Sequence, residues 1–336
     1  MRRSLRRLSI PFREPFVTAR GVVSAREILL LEVVADDGTA GYGEAAPFEP
    51  YDGRTIEEVA KALTDPRDGE EPPQARAATE MARLDVDARH RGRPIGEPGA
   101  EAIAVNRTLP AGPPDEVAAR AADGITAGYS CFKLKVGMPD DVTRVAAVRE
   151  AIGPWPALRI DANGAWTVDD AVKTIRALER YDLQFVEQPC ATLEELAEVR
   201  AAVDAPVAAD EPIASAADVA RAAAIGACDA VNVKLAPSGG YQGAREALGA
   251  AHEAGLDAFM SSTLDGPWGI AAALQLAASE RLSLACGLAT LELFDARLAG
   301  AIPEPDRGLL AVPQGPGLGI AVDDAALAEV LVEELE

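Results

Sequence analysis

Histidine and cysteine are scarce in this chain. Its 336 residues include only two histidines, His90 and His252, which disfavours most metallohydrolase sites and most sites built on a histidine base. The four cysteines, at positions 131, 190, 228 and 286, lie far apart and form no CxxC pair. This usage disfavours a disulfide framework or a zinc site, and it favours reduced thiols in a cytoplasmic protein.

Long apolar runs are missing as well. No run approaches the roughly 18–20 apolar residues that cross a bilayer, so we expect no membrane association. The start of the chain is rich in arginine, as the start of a signal peptide is, but Pro11, Arg13 and Glu14 interrupt the apolar stretch that should follow. We therefore expect a first strand with a solvated basic end.

Lysine and arginine are fewer than aspartate and glutamate in this chain. The net charge is −22 and the pI is near 4.5, and such a surface repels nucleic acid phosphates and anionic membranes, so neither is expected as a partner. An anionic small molecule is not excluded, because a bound metal can hold it. No GxGxxG follows an apolar run, which disfavours a dinucleotide-binding fold.

The regular feature that is present is a βα repeat. The length allows a full barrel and a further domain. From about residue 100, apolar runs typical of buried parallel strands alternate with helical patterns, in units of roughly 25 residues. Capping-box spacing marks three of the helix starts, at Thr167, Thr192 and Ser215. The apolar runs are 103–108, 132–136, 158–162, 184–188, 206–210, 230–234, 257–261 and 283–287.

This repeat predicts an α/β fold, a (β/α) TIM-type barrel over residues 101–290 that carries the site. For residues 1–100 the sequence predicts a separate α+β domain. It should contain a hairpin that turns at Asp37 and Gly38, and a helix whose start is closed by a capping box of Thr55 and Glu58. We expect residues 291–336, which end in a short acidic helix, to complete the base of the barrel or return to the first domain.

Charged residues end five successive predicted strands. Successive members are separated by 23 to 26 residues, which is one βα unit. The carboxyl ends of barrel strands meet at one mouth, so these groups should converge, with Lys133 as a supporting residue on the same face as Lys135. The strand-end residues are Lys135, Asp161, Glu187, Asp210 and Lys234.

The chemistry of this set points to a divalent cation between two lysines. Three neighbouring carboxylates repel one another unless a cation lies between them, and oxygen donors without histidine or cysteine favour Mg²⁺ or Mn²⁺ over zinc. A lysine near such an ion can act as a base close to neutral pH. The arrangement suits removal of a proton next to a carboxylate, since a metal stabilises the charge that develops.

Six motifs resemble, in order and spacing, the muconate-lactonising subgroup of the enolase superfamily. The resemblance covers nearly the whole chain and identifies the first domain as a capping domain. Superfamily sites use a Lys or His base with Mg²⁺. The motifs are GYGEAAPF (41–48), KLKVG (133–137), RIDANGAW (159–166), VEQP (186–189), ADEP (209–212) and VNVKLAPSGG (231–240).

The resemblance implies a role for each site residue. Asp161, Glu187 and Asp210 would bind Mg²⁺, and Lys135 and Lys234 would form an acid/base pair on opposite faces of a small carboxylate substrate. Asn163 and Glu211 would orient Lys234 and the metal ligands. Further plausible pocket positions are Ser262, Gly239 and Gly240, with Arg13 and Arg20 on a loop over residues 12–21 that would cover the mouth.

Within the superfamily, two branches fit poorly. The seventh predicted strand ends in MSSTLDGP (260–267) without the histidine base of mandelate-racemase-like enzymes, and ACGLATLELF (285–294) lacks the Asp-x-Asp of dipeptide epimerases. These segments are most similar to the o-succinylbenzoate synthases of high-GC bacteria. That likeness implies a dehydration in menaquinone biosynthesis in which Lys135 is the base and Lys234 stays protonated as an electrostatic stabiliser.

Several alternatives stay open. N-acylamino acid racemase and muconate cycloisomerase belong to the same subgroup. A Schiff-base aldolase also places a lysine at a barrel strand end, but it has no need of three carboxylates, and borohydride would trap it while EDTA would not affect it. A non-enzyme whose metal only stabilises the barrel is a further alternative. In such a protein Asp161→Asn would lower the melting temperature, whereas Lys135→Ala would leave the turnover of every tested substrate unchanged.

Overall fold

The first part of the chain forms an antiparallel sheet. The computed structural model describes residues 2–18, 21–65 and 71–335, so Arg20 lies outside the described residues. The sheet has the strand order β13-β1-β2-β3, and the β2–β3 hairpin turns at residues 35–39, which confirms the predicted turn. The strands are β1 (Arg2–Thr18), β2 (Gly21–Val34), β3 (Ala40–Ala45) and β13 (Leu331–Leu335).

Three helices belong to this part of the chain. They are α1 (Glu49–Asp52), α2 (Ile56–Thr64) and α3 (Pro73–His90). Helices α2 and α3 pack against β2 and β3. The predicted capping box of Thr55 and Glu58 opens α2. Helix α3 packs closely on β3 because Gly43 has no side chain, and a Cβ there would lie 1.9 Å from the carbonyl oxygen of Ala78. The sheet and these helices are called the N-terminal domain below.

The second part of the chain is a curled sheet of parallel strands in sequence order, as predicted, but the sheet has seven strands where eight were expected. The strands are β5 (Arg107–Leu109), β6 (Cys131–Lys135), β7 (Ala157–Asp161), β8 (Leu183–Glu187), β9 (Val207–Ala209), β10 (Ala230–Val233) and β11 (Asp257–Met260). The helices are α4 (Pro114–Thr126), α5 (Asp141–Ile152), α6 (Val168–Leu178), α7 (Leu193–Ala202), α8 (Ala216–Ala224), α9 (Tyr241–Ala254) and α10 (Pro267–Ser279). The predicted caps Thr167, Thr192 and Ser215 open α6, α7 and α8.

Residues 286 and 287 close this sheet into a barrel. The Gly287 amide donates to the Met260 carbonyl at 2.8 Å, and the Cys286 amide donates to the Ala104 carbonyl at 2.7 Å. The predicted first and eighth strands are therefore shorter than their apolar runs. The first run is divided between β5 and β4 (Ala102–Ala104), and β4 pairs with β12 (Leu309–Ala311).

The end of the chain returns to the N-terminal sheet. Two short 3₁₀ helices, Leu291–Leu293 and Arg297–Ala301, lead to β12 and then to α11 (Asp324–Val330). The predicted terminal acidic helix stops at Val330, and the last residues form β13, which pairs with β1 from Leu5 opposite Leu335. This pairing occupies an edge of β1 that would otherwise be open. No helix in the described ranges is long and apolar enough to cross a membrane.

Candidate active site

The strand-end charges converge as predicted. Lys133 and Lys135 lie on β6, Asp161 and Glu187 end β7 and β8, and Asp210 and Lys234 follow β9 and β10 directly. Because these strands are parallel neighbours, the side chains share one end of the barrel. All three carboxylates are at most 3% exposed, so their charges need partners.

Lys133 bridges two of the carboxylates. Its Nζ lies 3.2 Å from Asp161 Oδ2 and 3.2 Å from both carboxylate oxygens of Glu187. Burial works against the charge of this ammonium, but the charges of Glu187 and Asp161 raise its pKa above the ordinary lysine value. Burial likewise opposes the Asp161 charge, yet the nearby Lys135 and Lys133 hold its pKa below the ordinary value.

The described partners of Lys135 are barrel residues. Its Nζ donates to Asp161 Oδ2 at 2.6 Å and to Asn163 Oδ1 at 2.7 Å, and Asn163 Nδ2 donates to Glu211 Oε1 at 3.1 Å. Burial, and then the Asp161 charge, raise the pKa of Glu211. These contacts place both residues in support of Lys135, and the backbone amide of Asn163 also donates to Asp161 Oδ1 at 3.0 Å, whereas the predicted support of Lys234 stays a prediction. Asn163 follows β7, which neighbours the Lys135 strand and lies three positions from the Lys234 strand.

Lys234 faces the same cavity from the other side, and the N-terminal domain completes its surroundings. Its Nζ donates to Asp210 and, at 2.8 Å, to the hydroxyl of Tyr51, which also donates to Asp210 Oδ1 at 3.0 Å. The ammonium lies 4.7 Å from the centre of the Tyr51 ring. Burial lowers the pKa of Lys234 to about 7, although the charge of Glu187 opposes this shift.

A cavity of about 830 Å³, counted to its open mouth, contains this site. One end is charged and the other is lined by apolar and hydroxyl side chains. Ser262 lines it as predicted, and its Oγ lies 2.8 Å from Thr290 Oγ1. The lining residues are Phe48, Pro50, Tyr51, Thr108, Lys133, Lys135, Asp161, Asn163, Asp210, Lys234, Ser261, Ser262, Thr263, Leu264, Gly287, Thr290 and Leu293.

The other predicted pocket positions lie elsewhere. Gly239 and Gly240 follow β10 but rest against α3, where a Cβ on Gly240 would lie 1.9 Å from Glu80 Oε2. The structure therefore places this pair at the contact with the N-terminal domain and away from the cavity. Arg13 donates to the Phe294 carbonyl at 3.0 Å, and Arg20 is not among the described residues.

The donor set fits a hard divalent cation by its chemistry. It consists of three buried carboxylates, and one cation, the Lys133 ammonium, already lies between two of them. Lys234 pairs with the third, Asp210. As the described side chains are placed, no group of three or more His, Cys, Asp or Glu residues is positioned to hold a metal ion. The carboxylates are paired with lysines instead.

Sequence reasoning missed two residues of the site. Asn232 Nδ2 donates to Glu187 Oε1 at 2.9 Å, and Asn232 Oδ1 accepts from Ser261 Oγ at 2.8 Å. Its position two residues before Lys234 on the same strand face was a usable signal. Tyr51 lies outside the barrel repeat, so strand periodicity gave no reason to select it.

A family model, a related sequence and two solved structures all point to the same protein family. The family model described as enolase C-terminal domain-like matches residues 116–326. An o-succinylbenzoate synthase of Thermobifida fusca is 39% identical, with 98% of this chain and 92% of that protein covered. The crystal structure of N-succinyl Arg/Lys racemase from Bacillus cereus superposes with a TM-score of 0.93 at 26% identity, over 99% of this chain and 98% of the other. The crystal structure of 2-chloromuconate cycloisomerase from Rhodococcus opacus superposes with a TM-score of 0.92 at 27% identity, over 99% of both chains.

Proposed function

Because this chain belongs to the enolase superfamily, as its motifs predicted, we propose that it is an o-succinylbenzoate synthase acting in menaquinone biosynthesis. The reaction removes water from 2-succinyl-6-hydroxy-2,4-cyclohexadiene-1-carboxylate to give 2-succinylbenzoate. The observation that carries the proposal is the presence of Lys135 and Lys234 in one cavity with buried carboxylates. The identity of 39% with the Thermobifida fusca enzyme supports this choice among the reactions of the subgroup.

We propose that Asp161, Glu187 and Asp210 hold Mg²⁺, with Mn²⁺ as a substitute. Their burial and their oxygen-only donor set support this assignment. When bound, the ion supplies positive charge that stabilises the substrate carboxylate as the adjacent proton leaves. Lys133 and Lys234, which now pair with these carboxylates, balance part of their charge.

In this proposal Lys135 moves the proton. Its Nζ, as the free amine, takes the proton from carbon 1 of the substrate, next to the carboxylate. The electron pair of that C–H bond moves to the carboxylate and forms an enediolate. It then returns to form the carbon 1–carbon 6 double bond as the C–O bond at carbon 6 breaks. The departing hydroxide takes the proton back from Lys135 and leaves as water, and the ring becomes aromatic. Asn163 and Glu211 fix the position of Lys135 throughout.

Lys234 has a different part in the same reaction. It remains protonated beside the substrate carboxylate and offsets the negative charge that accumulates there. Burial lowers the pKa of Lys234 to about 7, so this cation is present in the lower part of the neutral range and is lost as pH rises. Tyr51 holds the ammonium in place from the N-terminal domain.

The decisive experiment is an assay in deuterium oxide with Mg²⁺. The purified protein is offered the cyclohexadiene carboxylate and, separately, N-acylamino acids. We expect 2-succinylbenzoate to form, and we expect EDTA to abolish this activity and added Mg²⁺ to restore it. Deuterium exchange into N-acylamino acids without any dehydration would sink the synthase proposal. Trapping by borohydride with no effect of EDTA would indicate a Schiff-base enzyme instead.

N-acylamino acid racemisation is a second candidate. Racemisation needs both lysines to exchange protons, and the pKa of about 7 at Lys234, caused by burial, suits such an exchange. The likeness to the Bacillus cereus N-succinyl Arg/Lys racemase supports the same reading. We expect α-proton exchange on both enantiomers of an N-succinylamino acid if this activity is present.

We also propose a cytoplasmic location. All four cysteines are free thiols and are buried, which supports a protein made for a reducing compartment.

A further inference from the structure

A second cluster of buried charge lies beside the cavity but outside the carboxylate and lysine site. It consists of Arg26 on β2, Glu44 on β3 and Asp265 in the loop between β11 and α10. Each is at most 5% exposed. Two strands of the N-terminal domain thus bring charged groups to a loop of the barrel. Burying three ionisable groups is costly, so their contacts are informative.

Arg26 binds both sides of the apolar end of the cavity. Its two terminal nitrogens donate to the carbonyls of Ala46 and Pro47, each at 2.6 Å, and its Nε donates to the carbonyl of Thr263 at 3.3 Å. Its guanidinium also lies 4.9 Å from the centre of the Phe48 ring. Phe48 and Thr263 both line the cavity, one from each domain. One side chain therefore contacts both walls.

Glu44 caps the helix that follows the barrel loop. It accepts from the Gly266 amide at 2.7 Å and from the Gly269 amide at 3.1 Å. Gly266 is the N-cap of α10 and has no side chain with which to cap it. A capping box normally satisfies these two amides from within the helix. Here one carboxylate from the other domain satisfies both.

Glycine at both helix positions makes this contact possible. A Cβ at Gly266 would lie 2.9 Å from Glu44 Oε2, and one at Gly269 would lie 3.1 Å from Glu44 Oε1. The helix start is therefore shaped to admit a carboxylate from β3.

The loop held by these two residues contains a strained backbone position. Leu264 has a φ of 63°, in the left-handed region that a leucine rarely adopts. The residue before it is held by Arg26 through its carbonyl, and Gly266 beyond it is held by Glu44 through its amide. Leu264 itself lines the cavity. A strained conformation persists only where its surroundings enforce it, and these contacts lie on both sides of it.

We propose that Arg26 and Glu44 are positioning residues that hold residues 263–266 as a fixed wall and thereby determine which substrates fit the apolar end of the cavity. This inference rests on the proposed function for the identity of the preferred ligand. Neither residue lines the cavity, so both act through Phe48, Thr263 and Leu264.

Two measurements test the inference on the full-length protein with Mg²⁺. The variants are Glu44→Ala and Arg26→Met, with Glu44→Gln and Arg26→Lys as conservative partners. Hydrogen exchange, followed by mass spectrometry, should be faster over residues 263–270 in both severe variants. Calorimetry should show 2-succinylbenzoate binding weakened about tenfold or more, with N-succinylphenylalanine changed by less than about threefold. The conservative variants should recover most of the lost selectivity.

Glu58→Ala is the matched control, because it removes a capping carboxylate from an exposed helix of the same domain, and Glu58 does not line the cavity. It should lower stability without changing the affinity ratio. Unchanged exchange over residues 263–270 would overturn the inference, and so would an equal loss of affinity for both ligands. If the wild-type protein turns over neither substrate class, the proposed function and the choice of ligands fail, whereas the exchange rates over residues 263–270 still decide whether Arg26 and Glu44 hold this wall.

Discussion

The two lysines of the cavity are supported by different parts of the molecule. Lys135 is held by Asp161 and Asn163, which follow the neighbouring strand of the barrel. Lys234 is held by Asp210 and by Tyr51, which comes from α1 of the N-terminal domain. Among the described residues, the contacts of the Lys135 ammonium come from the barrel, whereas those of the Lys234 ammonium come from both domains.

This difference suggests that proton transfer and substrate selectivity depend on different parts of the molecule. In the proposed function, residues of the repeating barrel supply the base and the carboxylates, and residues of the N-terminal domain close the opposite wall. Members of a family can then keep the first set and vary the second. We expect substitutions on the Lys135 side to reduce turnover most, and substitutions on the Lys234 side to act through positioning.

The largest effect should come from the barrel side. Lys135→Ala removes the proposed base, and we expect kcat for dehydration to fall by about 10²–10⁴-fold. Lys234→Ala should cost less, because it removes a stabilising charge and leaves proton abstraction possible. Steady-state kinetics with both variants checks this order, and circular dichroism confirms that each is folded. A larger loss in Lys234→Ala would reverse the assigned roles.

The next effect should come from the N-terminal domain. Tyr51→Phe keeps the ring beneath Lys234 but removes the hydroxyl that accepts from its ammonium. A buried hydrogen bond to a charged group contributes about 1.5–3 kcal/mol, so we expect kcat/KM to fall by about tenfold or more. Tyr181→Phe is the matched control, since within the described residues the Tyr181 hydroxyl accepts from Arg180 at the surface. No change in Tyr51→Phe would show that the Lys234 side does not depend on this domain.

The same division decides what the sequence could predict. The strand-end charges follow from a period of one βα unit, which places Asp161, Glu187 and Asp210 at a common edge before any coordinates are known. Tyr51 belongs to no repeat, and its role depends on how α1 packs on the barrel. The choice between Lys135 and Lys234 as the partner of Asn163 depends on side-chain direction, which spacing does not give.

Contacts between the two domains could not be predicted from the sequence either. Gly239 and Gly240 follow the Lys234 strand, so their position along the chain suggested the cavity, whereas α3 occupies the space beside them. Glu44 lies within a motif that identified the family, but its capping of α10 pairs residues more than 200 positions apart. Such pairings require the tertiary structure.

A smaller effect should appear in the pH dependence of stability. Burial, and then the charge of Asp265, raise the pKa of Glu44 from its ordinary value of 4.5 to about 8, although Arg26 and two backbone amides oppose the shift. The folded state thus binds this proton more tightly than the unfolded state. The resulting stability is fully present below pH 4.5 and is lost as pH rises through about 8.

Glu44→Gln tests this linkage because glutamine does not ionise. We expect the Tm of the wild-type protein to fall between pH 5 and pH 8 by several degrees more than the Tm of Glu44→Gln, by scanning calorimetry in buffers of about equal ionic strength. Asp265→Asn should also reduce the fall, since it removes the neighbouring charge. Parallel curves for wild type and Glu44→Gln would show that Glu44 does not carry this proton.

The smallest effect should arise in the N-terminal domain away from the cavity. Thr55 caps the exposed start of α2, and Thr55→Ala should lower the free energy of unfolding by about 1 kcal/mol, measured by urea denaturation. Its kcat and KM should stay at wild-type values, because Thr55 is not among the described residues that line the cavity. A loss of activity comparable to that of Tyr51→Phe would mean that the N-terminal domain acts through its overall stability. Unchanged kinetics would instead restrict its influence to the few residues that touch the Lys234 side.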